Sequence, residues 1–244
     1  MKLSAIIPAH NEEGCLEETV SGLHRTLESA GISHEILIVN DHSSDSTGEI
    51  GKRLELKYPG ILRCVDNGMP CGFGFAVRTG LSLFEGDAVS LFMADNSDSP
   101  DDLVKFFRKL EEGFDCVFGS RFGKGGKTID YPPLKLMLNR LANTFIRTLF
   151  MIGYNDITNA FKLYRRETIE GLKPFLSHHF NITVELPLKA IIRGYSYAVI
   201  PNSWTNRKSG VSKLRIKEMG SRYLFIVLYC FIEKLLSVGD YRKH

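Results

Sequence analysis

Leu3-Ser-Ala-Ile-Ile-Pro-Ala-His-Asn-Glu-Glu13 and, one helical interval later, Glu35-Ile-Leu-Ile-Val-Asn-Asp41 decide the fold. Each is an apolar run that stops at polar residues. Between them Leu16, Val20, Leu23 and Leu27 recur at helical spacing up to Gly31, so the segment reads strand, helix, strand. A Ser-Ser-Asp-Ser-Thr turn then opens a helix running to about Lys57. The rhythm continues with strands at Leu62 to Asp66, Ala88 to Ala94 and Asp115 to Gly119, and with helices at Phe75 to Phe84 and Asp101 to Glu112. Such alternation predicts an α/β domain with a mostly parallel, Rossmann-like sheet flanked by helices on both faces.

In open parallel sheets, ligands bind beyond the carboxyl ends of the strands. Four such ends carry polar clusters here: Ala9 to Glu12, Asn40 to Asp45, Asp95 to Asp98, and Ser120-Arg121. The third is the most telling, because an apolar strand runs straight into Met93-Ala-Asp-Asn-Ser-Asp98. Carboxylate oxygens suit a hard divalent cation that bridges protein to phosphate. Capping of the helix at Asp101 accounts for Asp98 or Ser99, but not for Asp95 at the strand mouth.

Beyond Arg121 the texture changes. Gly123 to Lys127 is a basic loop, Leu134 to Met151 a long amphipathic helix, and Asp156 to Arg166 a turn into a strand. Thr168 to Leu172 and Glu185 to Arg193 read as helices, Tyr195 to Pro201 as a last strand, and Ile216 to Ser237 as a final helix. The expected division is a catalytic domain over residues 1–215 and a C-terminal amphipathic helix over 216–244, suited to a membrane surface or to a subunit contact in a homo-oligomer.

Composition narrows the class. A net charge of +3 is too mild to argue for nucleic acid. The basic excess is local: Arg207, Lys208, Lys213, Arg215, Lys217 and Arg222 face one acid, Glu218, and point to an anionic partner. Five scattered cysteines without metal-ligand spacing suit free thiols in a reducing compartment. A strand beginning within a few residues of Met1 leaves no room for a secretory leader, so the expected location is the cytoplasm, peripheral at the inner face of the membrane. The longest uncharged apolar run, Tyr223 to Ile232, is too short to span a bilayer.

Two further motifs need weighing. Asp41, ending the second strand, can accept hydrogen bonds from a base or ribose, or order the turn that follows. Gly72-Phe-Gly-Phe-Ala-Val-Arg-Thr-Gly80 contains a G-x-G but lacks the third glycine at the dinucleotide spacing and does not follow a strand. It supports a dinucleotide oxidoreductase weakly. The better expectation is a loop that brings Arg78 and a helix N-terminus to an anion.

Taken together, Ile7-Pro-Ala-His-Asn-Glu-Glu13, Val39-Asn-Asp-His-Ser-Ser-Asp-Ser-Thr47, Gly72 to Gly80, Ala94-Asp95, Gly119-Ser-Arg121, Asp156-Ile-Thr-Asn-Ala-Phe-Lys162 and Asn206-Arg-Lys-Ser-Gly-Val-Ser-Lys213 resemble the inverting, GT-A-fold glycosyltransferases of family 2, in the dolichol- or polyprenyl-phosphate mannosyltransferase-like branch. The resemblance runs from Ser4 to about Arg215. It implies a nucleoside-diphosphate sugar donor, a polyprenyl-phosphate acceptor, and Mg2+ or Mn2+. It also implies that Pro8, His10, Glu12, Asp41 and Ala94 hold the nucleoside with Arg78 nearby, and that Asp95 reaches the metal-bridged diphosphate. The acceptor phosphate would fall to Arg121, Lys135, Asn139, Arg207 and Lys213. One departure stands out: the family's Asp-x-Asp has Met93 in first place, and thioether sulfur is a poor ligand for either ion. Asp98 is the candidate replacement.

A phosphate nucleophile is already anionic and needs cations rather than a base. A sugar hydroxyl, as in surface glycan assembly, would need a carboxylate base, for which Asp156 and Glu185 are the candidates. Met93 alone raises a third reading, a nucleotide-sugar-binding protein without catalysis.

Overall fold

The computed structural model describes residues 1–206, 216–237 and 239–241, with side chains of the last helix described from residue 220. Five strands and four helices alternate first: β1 (Leu3–Ala9), α1 (Leu16–Ser29), β2 (His34–Asn40), α2 (Thr47–Lys57), β3 (Leu62–Asp66), α3 (Phe73–Leu83), β4 (Ala88–Leu91), α4 (Pro100–Glu111) and β5 (Cys116–Ser120). There follow β6 (Lys127–Ile129), α5 (Pro133–Phe150), β7 (Lys162–Arg165), α6 (Arg166–Gly171), α7 (Ile182–Ile192), β8 (Tyr197–Pro201), β9 (Ser203–Thr205) and α8 (Ile216–Leu236).

The main sheet has seven strands in the order β3-β2-β1-β4-β7-β5-β8. All neighbours pair in parallel except β7, which runs antiparallel to both β4 and β5. β1 is buried along its whole length, as a strand covered on both faces must be. Its side chains alternate between two cores. Leu3, Ala5, Ile7 and Ala9 join α1, α2 and α4 on one face, while Ile6 joins α3, α5, α7 and α8 on the other. Leu16, Val20, Leu23 and Leu27 of α1 are fully buried. Truncating one of them to Ala costs about 2–5 kcal/mol.

Differences from the sequence reading are local and have physical causes. β4 ends at Leu91 rather than Ala94, because the Met93 N–H turns aside to the Asp98 carboxylate at 3.2 Å. The small parallel pair β6 and β9 was not expected; three-residue strands carry too short a pattern to read. The helix after residue 215 packs into the core on one side: Ile226, Val227 and Cys230 of α8 are buried, and a bidentate Arg193–Glu233 pair (2.7 and 3.0 Å) ties α8 to the end of α7.

Candidate active site at the carboxyl edge of the sheet

The polar clusters do meet at one edge, since β2, β1 and β4 are adjacent and parallel. Immediately beyond those three strands lie Asn11, His42 and Asn96, each a non-glycine residue with φ between 53° and 59°. Asn and His adopt left-handed backbone more readily than most residues, and here they turn the chain sharply where it leaves the sheet.

Asp41, at the end of β2, is tightly held. It is buried, and its carboxylate accepts from the Gly72 N–H at 2.9 Å and Asn67 Nδ2 at 2.8 Å. His10 Nδ1 lies 2.5 Å from the Asp41 backbone carbonyl. The Glu12 N–H donates to Thr47 Oγ1 at 2.8 Å, and Pro8 and Ala94 are buried. Arg78 lies over the Phe75 ring at 5.7 Å.

The expectation of an open helix N-terminus at Gly72 is overturned. The Gly72 N–H is taken by Asp41, and the N–H groups of Gly74 and Phe75 both donate to the His178 carbonyl (3.0 and 3.3 Å). The glycines serve packing: a Cβ on Gly72 or Gly74 would lie 2.7 or 2.5 Å from the His178 backbone. No donor among these three is left for an anion.

Asp95 and Asp98 are 8% and 5% exposed. The Ser97 N–H donates to Asp95 at 3.2 Å, and Asp98 forms a bridge with Trp204 of β9. Burial, followed by the neighbouring Asp95 charge, pushes the Asp98 carboxyl up to about 7. Two buried acids that repel each other fit a divalent cation, which would relieve both penalties. Asp98 also stands against the backbone of Met93, the position at which the sequence lacks an acid.

Across the sheet, Arg121 follows β5. Its Nε and Nη2 donate to the two oxygens of Asp156 at 2.9 and 2.7 Å, and its own N–H adds a third bond at 2.9 Å. Burial opposes the Arg121 charge, but the Asp156 carboxylate outweighs it and holds the guanidinium above its usual range. Tyr154 and Asn159 stitch the turn that carries Asp156 to the Gly119 carbonyl (2.8 and 2.9 Å). Lys162 sits beneath, bonded to the carbonyls of Ile157, Asn159 and Thr183, with burial pulling its ammonium down to about 7. Lys135 lies over the rings of Tyr131 and Trp204 at 5.7 and 5.5 Å, and Asn139 donates to Thr158 at 2.8 Å. Arg207 and Lys213 lie outside the described residues.

A family model for glycosyl transferase family 2 matches residues 4–172. The chain belongs to glycosyl transferase family 2. A polyprenol monophosphomannose synthase of Mycolicibacterium smegmatis is 33% identical over 214 residues, covering 86% of this chain and 79% of that protein. A dolichol-phosphate mannosyltransferase of Pyrococcus furiosus is 32% identical over 227 residues, covering 89% of this chain and 60% of that protein. Among solved structures, glucosyl-3-phosphoglycerate synthase of Mycobacterium tuberculosis, in complex with Mn2+, uridine diphosphate and glucosyl-3-phosphoglycerate, superposes with a TM-score of 0.71 at 18% identity. That match covers 96% of this chain and 79% of the other, and shows the shared GT-A fold.

For this family 2 glycosyltransferase, sequence reasoning missed several groups that touch the site. Asn67 and Thr47 support the nucleoside side, Tyr131 and Trp204 flank Lys135, and Lys162 underpins the Asp156 turn. Thr47 and Lys162 had a signal, each closing a motif, Val39 to Thr47 and Asp156 to Lys162. Both candidate bases have other occupations. Asp156 is spent on Arg121, and Glu185 accepts from the N–H groups of Leu176 and Ser177 (2.8 Å each) and, in a fully buried pair, from Lys189 at 2.6 Å.

Proposed function

We propose that this glycosyltransferase moves a hexose from a nucleoside-diphosphate sugar to a polyprenyl phosphate by in-line displacement with inversion. A phosphate oxygen bonds to the anomeric carbon, the bond to the donor diphosphate breaks, and its electron pair leaves on the nucleoside diphosphate. The observation that carries the acceptor assignment is the fate of the two carboxylates that could have served a hydroxyl. Both are locked in buried ion pairs. A phosphate nucleophile needs no base, so a site that invests its acid in fixing Arg121 suits that acceptor. The names of the two relatives at 32–33% identity support the same assignment.

In this reading His10, Glu12 and Asp41 hold the nucleoside. Asp95 and Asp98 hold Mg2+ or Mn2+, which supplies charge neutralisation at the departing diphosphate. Arg121 gathers the acceptor phosphate with Lys135, Asn139, Arg207 and Lys213. Peripheral lipid contact belongs to the same reading, because the acceptor is a lipid. No helix among the described residues is long and apolar enough to cross a membrane. Two helices nevertheless expose apolar stripes: Leu134, Met137, Leu141 and Phe145 on α5, and Leu224, Phe225, Leu228 and Ile232 on α8.

The test is incubation with detergent-dispersed polyprenyl phosphate and a panel of radiolabelled nucleotide sugars in Mn2+ or Mg2+. Label extracted into the lipid phase as a sugar phosphate is expected with one donor. Label appearing only on a saccharide, and never in lipid, would overturn the acceptor.

A further inference from the structure

We propose that His10, Asp41 and Cys71 form a zinc-binding site on the nucleoside side of the pocket, so that zinc and the donor nucleotide exclude each other. One ligand atom from each residue lies within 4.8 Å of the others. Thiolate, imidazole and carboxylate together select a borderline ion such as Zn2+ over Mg2+ or Mn2+. This set is therefore chemically distinct from the all-oxygen acids Asp95 and Asp98.

The geometry is close to what the ion needs. Cys71 Sγ is 3.8 Å from Asp41 Oδ2, and ligands at normal zinc distances in a tetrahedron stand about 3.5 Å apart. Closing all three onto one ion asks for a contraction of up to about 1.3 Å, within reach of an exposed cysteine side chain and a half-buried imidazole. Orientation is partly set already. The Asp41 carboxylate is fixed by Asn67 and the Gly72 N–H. His10 Nδ1 lies against the Asp41 backbone carbonyl, which holds the imidazole beside the same residue. Three protein ligands leave a fourth position for water, the arrangement of an exchangeable site.

The competition, unlike the metal site, rests on the proposal that Asp41 holds the donor nucleoside. An ion on the Asp41 carboxylate occupies the acceptor oxygens that a nucleoside would use. Free zinc would then act as a brake on transfer, and Cys71 is the residue that creates it.

Cobalt reports the site directly. With excess Mg2+ present, one equivalent of Co2+ is expected to raise a thiolate-to-metal charge-transfer band in the near ultraviolet that Zn2+ abolishes. Cys71→Ser should lack the band, and His10→Ala should need about tenfold or more Co2+ to reach it. No band in the wild type, or an equal band in Cys71→Ser, would overturn the site. Binding of fluorescent nucleoside diphosphates, measured in the same excess of Mg2+, tests the competition. Zinc should weaken binding about tenfold or more in the wild type and less than about twofold in Cys71→Ser. Equal weakening in both would overturn the competition. A normal cobalt band in a protein that binds no nucleotide would support the metal site and sink the donor reading instead.

Discussion

Asp98 carries a pH dependence that bears on metal binding. Its carboxyl is raised to about 7 by burial and by Asp95, well above its value in an unfolded chain. The folded state therefore binds this proton more tightly, and the stability it contributes is lost as pH rises through 7. A cation needs the ionised form, so Mn2+ affinity should climb about tenfold per pH unit below 7 and flatten above it. Calorimetric titration from pH 5.5 to 8.5 measures this. Asp98→Asn should remove the slope and weaken Mn2+ binding, while raising the metal-free melting temperature at pH 8. An unchanged slope in that variant would show that Asp98 does not hold the ion. Arg121 makes the opposite case, a charge whose partner is indispensable. Asp156→Ala would strand a buried guanidinium, and chemical denaturation should report a loss of about 3–5 kcal/mol. A change within about 0.5 kcal/mol, the usual range for neutral surface sites, would mean that the pair is solvated in solution.

At the scale of elements, what the sequence disclosed and what it hid divide by periodicity. β1, α1, β2 and α2 were legible because their apolar residues repeat with the period of the element and their polar ends are abrupt. β6 and β9 span three residues each, and the bond from the Met93 N–H to Asp98 that shortens β4 is a tertiary event with no local pattern. The same limit governed the site. Asp41 and Arg121 stand where strands stop and Asp95 in the acidic run that follows an apolar one, whereas Asn67, Tyr131 and Trp204 reach their partners through contacts that only folding reveals. The glycines at the start of α3, Gly72 and Gly74, were misread for a related reason. A small residue signals close approach without saying to what, and here the neighbour is the His178 backbone rather than a phosphate. The middle of α8, Tyr223 to Ile232, is apolar on every side, which a sequence cannot apportion between core and surface. Its structure does: Ile226, Val227 and Cys230 face inward, while Phe225 and Leu228 are 61% and 46% exposed. If that outer face meets lipid together with α5, then Phe225→Glu with Leu228→Glu should at least halve the fraction sedimenting with anionic vesicles. Leu56→Glu, an 84% exposed apolar position on α2, serves as the control that leaves sedimentation unchanged. Equal sedimentation of both variants would remove the membrane role of α8.

For the whole molecule, the antiparallel β7 is the feature that, in the proposed reaction, would join a donor side and an acceptor side into one site. β1, β2 and β4 run in one direction and deliver the donor residues to one edge. β7 inserts between β4 and β5 in the reverse direction, so the chain entering it lies at that same edge, and the entering turn carries Asp156. The acceptor cation Arg121, at the end of β5, is thus fixed by a turn whose strand pairs with the donor side. Asp98 is likewise bridged to β9, linking the acidic loop to the chain beyond β8. Donor and acceptor groups therefore share one rigid frame, and donor binding should stabilise the fold as a unit. At a nucleoside diphosphate concentration of about 100 times Kd, the gain is about 2.7 kcal/mol, or about 5–10 °C in Tm for a chain of this size. A thermal-shift panel of nucleoside diphosphates should show such a rise with one base in the presence of Mn2+, and a smaller one without it. A flat response to every base, with and without the ion, would remove the donor assignment on which the proposed reaction depends.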